Sequence, residues 1–247
     1  MTLRLYETRV RWALAMFLAL IAGYVDGYGL IFLGTSVSFM SGNTTTTGLK
    51  SGQGDFHAAL PTAIAVLFFV AGTFLGTLFS QSRSRYSHRL IFLVVAGLLA
   101  TVAGLEQHGH RMVFVEIAML AVGMSMMNPA LSKVGGESVS LTFVTGTLNR
   151  IGGHLAAAAG RQHLPDGQGP KDSHLVRALV EATVWSAFVV GAGLSGMAGS
   201  HLPLWAALLP PFVVMIALGL FSEWATPSGE KKITTSFSGE HSAVSGR

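Results

Sequence analysis

Half of the 247 residues are hydrophobic, only 11% are charged, and the mean hydropathy is +0.53. A typical soluble domain carries about 25% charged residues, so this balance excludes an ordinary soluble fold and points to an integral membrane protein. No cysteine is present, which excludes disulfides and thiolate metal sites, and the net charge of +4 is distributed along the chain in a way that argues against a nucleic-acid partner.

Apolar runs long enough for a hydrocarbon core of about 30 Å, about 20 residues each, recur at roughly 12–34, 58–79, 90–107, 112–132, 175–198 and 202–222. The expected fold is an all-α polytopic membrane protein with about six transmembrane helices, residues 1–222 forming a single membrane domain. With the N-terminus inside, all of the 16 basic residues except Lys50 and Arg111 fall on the cytoplasmic side, as the positive-inside rule requires. The expected place is the bacterial inner membrane, multi-pass, with both termini cytoplasmic and the lipid bilayer as the main partner. Arg4, Arg9 and Arg11 before an apolar run resemble a signal peptide, but that run continues to Leu33, beyond the 7–15 residues of an h-region. An uncleaved first span is the expectation.

In chain order, the first span carries an acid, Asp26, and leads into a polar stretch, Ser41-Gly42-Asn43 followed by Thr44 to Thr47. The second span contains Gly72-x-x-x-Gly76, a spacing that lets helices approach closely within the bundle or at a homodimer seam. His108 and His110 beside Glu106 sit in an external loop at a spacing that suits no helical or zinc-finger pair, so a wet loop is expected. The fourth span holds Glu116 near its start and Asn128-Pro129 near its end. A second polar stretch follows, Thr142-Phe143-Val144-Thr145-Gly146-Thr147, with a helical tail to Ala159. Residues 162–173 read as an exposed cytoplasmic linker. The fifth span contains Glu181, Gly191, Gly193 and Gly196, and Pro210-Pro211 should kink the sixth. The tail at 223–247 is too polar to fold and reads as disordered.

A displacement of 104 residues sets Phe39 on Phe143, Ser41 on Thr145, Gly42 on Gly146 and Gly48 on Gly152, and with a two-residue insertion Asp26-Gly27 falls on Asn128-Pro129. Two repeats follow, at about 10–107 and 110–222. Three spans each would invert the second copy, and each copy would carry an interrupted or re-entrant helix, a build that recurs in secondary transporters.

The stretches Gly23-Tyr-Val-Asp26-Gly, Phe39-Met-Ser-Gly-Asn43 and Phe143-Val-Thr-Gly-Thr-Leu148 resemble the signatures of the YoaK family of bacterial membrane proteins, domain of unknown function 1275, over roughly residues 10–222. The resemblance implies a polytopic inner-membrane protein and brings no established substrate. Pro129 and Thr44 to Thr47 depart from its pattern at local helix ends.

An ionised Asp26 within a span costs roughly 2.5–3.5 kcal/mol on insertion scales. It should face the interior, either as a proton or cation coupling site or as a hydrogen-bonded tie to the broken segment, accepting from Asn43 or a threonine. The starts of the two polar helices could attract anionic groups or simply satisfy backbone at a break. The solute or proton pathway is thus expected among Asp26, Ser41, Asn43, Thr44, Asn128, Thr145 and Thr147. Arg150 and His154, one turn apart, read as a solvated face or as a gate. Glu116 and Glu181 lie near span ends, where acids usually reach the interface. No G-x-S-x-G, H-E-x-x-H or Walker motif is present, and no G-x-G-x-x-G follows a strand, so no enzyme, cofactor or metal is expected. The leading expectation is a secondary transporter or exchanger of a small solute or ion, proton-coupled through Asp26. The alternatives are a non-transporting sensor or assembly subunit and, last, an intramembrane enzyme.

Overall fold

The computed structural model describes residues 2–81, 86–128, 144–164, 167 and 172–221. Pro129, Phe143, part of the linker and the tail expected at 223–247 lie outside the described residues. Among the described residues the secondary structure is all helical: α1 (Thr2–Tyr28), α2 (Met40–Gly52), α3 (Phe56–Gln81), α4 (Ser87–Gln107), α5 (Val113–Met127), α6 (Val144–Ala159), α7 (His174–His201), α8 (Leu204–Ala207) and α9 (Leu209–Phe221). α1 runs on into a wider π-helical turn, Gly29–Leu33.

Among the described residues, four helices are long and apolar enough to cross a membrane: Trp12–Leu33, Phe56–Gln81, Arg89–Gln107 and His174–His201. Two more apolar helices, Val113–Met127 and Leu204–Leu220, are shorter. Large apolar side chains such as Leu67, Val70, Phe74 and Met197 point outward and are well exposed. In water such a surface would be prohibitive, whereas in lipid it is the favourable one.

Inside, α5 is buried along most of its length, and its Ile117, Leu120, Met124 and Met127 join Leu18, Val25 and Tyr28 of α1 and Ile91, Val95 and Leu99 of α4 in one core. Glycine sets the closest crossings. A Cβ on Gly23 would strike the Phe188 carbonyl, and one on Gly191 the Leu20 carbonyl. Gly27 faces Ala192 and Ser195, and Gly199 faces Ile31 and Phe32, so contacts advance along both chains together and α1 and α7 run parallel. Gly72 meets Val122 and Ser125, and Gly76 meets Met126, so α3 and α5 also run parallel. The small-residue face of α3 is therefore filled by α5 of the same chain, which leaves neither glycine free for the homodimer seam considered above. The third main apolar pairing is α4 with α9.

The expected kink in the last span is an interruption at Leu208, between α8 and α9 and just ahead of the prolines. Pro210 and Pro211 occupy the first turn of α9, where a missing N–H costs little. The carbonyls one turn earlier lose their helical donors, and the Tyr24 hydroxyl donates to the Ala207 carbonyl at 2.6 Å in place of the absent Pro211 N–H.

Candidate functional site

The interruption after α1 is built from glycine and serine. Gly29 accepts the Gly34 and Thr35 amides, closing the π turn, and Gly34 sits at φ 68°, in the left-handed region that glycine favours. The chain then doubles back along α1. Val37 is fully buried, and the N–H groups of Val37 and Ser38 donate to Asp26 Oδ1 at 3.0 and 2.8 Å. The Ser36 hydroxyl donates to the same oxygen at 2.5 Å. By helical rise, Asp26 lies roughly 10 Å below Leu33, so this segment descends along the helix it has just left.

Asn43, the one buried residue of α2, donates its Nδ2 to the Ser36 carbonyl at 2.7 Å. Asp26 and Asn43 therefore meet through Ser36 rather than directly. Ser41 and Thr44 are exposed, and Thr44 gives its hydroxyl to Met40 of its own helix at 2.7 Å. Thr47 reaches α3 instead, 2.7 Å from the Thr62 hydroxyl.

The second polar helix behaves similarly at the other end of the molecule. Thr147 is the one buried residue of α6, the counterpart of Asn43 under the 104-residue displacement, while Thr145 is exposed. Arg150 makes a two-pronged bond to Glu181 of α7, Nε to Oε1 at 2.8 Å and Nη2 to Oε2 at 3.1 Å, and Nη2 also lies 3.3 Å from Thr147 Oγ1. His154 and His174 approach at 2.9 Å between Nδ1 atoms. Arg177 pairs with Asp172 at 2.9 Å beside the start of α7. Asn128 follows the last residue of α5 as its cap and is half-buried.

Because α1 and α7 are parallel, these two polar groups occupy opposite ends. Gly27 is level with Ser195, fourteen residues beyond Glu181, so Asp26 and the Arg150–Glu181 pair are separated by about 21 Å of helical rise. Glu116 and Glu181, expected at the interface, are instead 0% and 1% exposed. Helix-end acids snorkel when a face is free; here α5 and α7 have none at those positions. Sequence reasoning also set Glu106 in a wet loop, whereas it closes the last turn of α4 with a side chain only 7% exposed. The signal for it was an acid on each side of a tight turn between two spans.

Residues 14–221 match the family model described as "Protein of unknown function (DUF1275)". The chain belongs to this family. A curated relative, UPF0700 transmembrane protein RA0705 of Rhizobium meliloti (strain 1021), is 32% identical over 146 residues, covering 59% of this chain and 62% of the relative. The chain thus spans about six tenths of the length of the relative it matches. No solved structure matches. The DUF1275 chain is accordingly a membrane protein of apolar helices.

Proposed function

We propose that this DUF1275 protein is a carrier rather than an enzyme: a secondary transporter or exchanger of a small solute, proton-coupled through Asp26, in the bacterial inner membrane with cytoplasmic termini. The observation that carries the reading is a membrane helix broken next to a buried acid. Irregular backbone at such depth is tolerated only where protein or a cavity satisfies it, and broken helices form the sites of many transporters. The coupling follows from the hydrogen bonds. Three donors converge on one oxygen of Asp26. Adding a proton to that carboxylate removes the charge they hold and weakens all three at once, which frees segment 34–39 to move.

The helix pairing supports two inverted halves. Numbering the apolar helices α1, α3, α4 and α5, α7, α9 as the first, second and third of each half, α1 meets α7 and α3 meets α5. Exchanging the halves turns the first pair into the second, and maps α4 with α9 onto itself. Both exchanged pairs are parallel, as inversion of an odd number of spans demands. Arg150 with Glu181 then closes the end opposite the α1 break.

The test is reconstitution in liposomes under an imposed proton gradient, with amines, carboxylates, sugars and alkali cations supplied in turn. Dissipation driven by one solute class in wild type, lost in Asp26→Asn, is the expected result. One observation favours the second reading, a non-transporting sensor or assembly subunit. The space between α1, α4 and α5, lined by Ile21, Val25, Leu99, Leu120 and Met124, is apolar and about 10 Å³, room for one water at most. Folded protein that moves none of these solutes would favour that reading.

A further inference from the structure

Glu106 in the last turn of α4 and Glu116 in the first turn of α5 are folded toward each other by the turn at 108–112. The turn makes them neighbours, close enough for each carboxyl group to act on the other. Two ionised carboxylates are acceptors only and cannot bond to each other. The Met112 N–H donates to Glu116 Oε1 at 2.9 Å. Glu116 Oε2 and Glu106 Oε1 are both buried without a hydrogen-bond donor among the described residues.

The surrounding groups do not supply the missing donor. Arg111, from the turn, places Nε 3.9 Å from Glu106 Oε1, near enough for attraction but too far to hydrogen bond. Its Nη2 donates instead to the Phe32 carbonyl of the π turn at 2.5 Å. From α1, Tyr28 is fully buried, its hydroxyl has no partner among the described residues, and it lies within electrostatic reach of both glutamates and Arg111, with Tyr24 beyond it. One half-exposed cation faces two buried acids and an unengaged phenol.

We propose that Glu106 and Glu116 form a proton-binding site at the end of the bundle that carries the α1 break, the two carboxyl groups holding one proton between them. The proton converts one carboxyl into a donor and supplies the hydrogen bond that the two orphaned oxygens lack. Loss of that proton leaves two negative charges side by side in a desolvated site. Arg111, the cation at hand, is then drawn from Phe32 toward the acids. Protonation at this site is thereby tied to the π turn, and Arg111, 52% exposed, links the pair to the surface. The site is separate from Asp26 and does not rest on the transport reading.

Infrared difference spectra of the purified full chain, titrated in water and in heavy water, test this directly and need no substrate. An exchangeable band of a protonated carboxyl is expected at neutral pH in wild type and in Asp26→Asn, and it should be absent from the Glu106→Gln, Glu116→Gln double variant. In either single variant the remaining acid loses its like-charged neighbour and gains an amide donor. Its titration midpoint should fall by about one pH unit or more, a tenfold change in proton concentration. An unmoved midpoint in both single variants would overturn the pairing. Should the glutamine variants fail to fold, wild type still decides: no protonated carboxyl at neutral pH sinks the proposal, and a band that survives Asp26→Asn supports it.

Discussion

At the scale of single residues, Asp26 is an acceptor before it is anything else. Asparagine keeps an oxygen where the Ser36 hydroxyl and the amides of Val37 and Ser38 converge, so Asp26→Asn should fold and melt close to wild type. Alanine strands these donors in a buried site, at a cost on the order of 3 kcal/mol. Asp26→Ala should therefore lower the melting temperature in detergent well below that of Asp26→Asn; equal melting of the two would remove Asp26 from the break. An acid within an apolar run was legible as a residue that needs partners. Which partners was not, because Ser36 reaches Asp26 only after the chain reverses at Gly34, and sequence spacing does not show which side chain a reversal brings back onto the helix. Glu116 and Glu181 show the same limit in another form. Their distance from the span ends was readable, but not that neighbouring helices leave them no route to the interface.

Elements were more legible than their junctions. Among the described residues four of the six apolar runs became helices long enough to cross a membrane and the other two gave shorter helical segments, because a spanning segment must satisfy its backbone internally. The breaks follow subtler chemistry, as where Pro210 and Pro211 begin α9 instead of bending a continuous helix. Glycines divide sharply by what they face. Gly23 and Gly191 lie where the α1 and α7 backbones touch, so a methyl group at either meets a carbonyl that cannot move alone, while nothing lies within 4 Å of a Cβ built on Gly193 or Gly196. Gly23→Ala and Gly191→Ala should each destabilise by about 2 kcal/mol or more, since overpacking forces the backbones apart. Gly193→Ala and Gly196→Ala should stay within about 0.5 kcal/mol of wild type. Thermal melts of the four variants separate the classes, and similar losses in all four would mean that α1 and α7 do not cross there.

For the whole molecule, the proposed repeat rests on one weak displacement in sequence and on the pairing of the helices. A two-fold exchange of halves must carry each contact onto another contact, and α1 with α7 is carried onto α3 with α5 in the same parallel sense. The same operation carries α2 onto α6 and Asn43 onto Thr147, each the one buried residue of its helix. Inversion therefore requires α2 and α6 to open toward opposite sides of the bilayer. The absence of native cysteine makes this directly measurable. Exposed positions Thr45 of α2 and Leu148 of α6 replaced singly by cysteine should react with an impermeant maleimide from opposite faces, α2 from the outside and α6 from the cytoplasm. Labelling of both from one face would break the inversion, and with it the argument for a carrier built from two opposed halves. If a solute that moves in the liposome assay also changes labelling at both positions in opposite directions, the two ends are coupled. Alternating access requires that coupling, whereas a static sensor would leave at least one end unchanged.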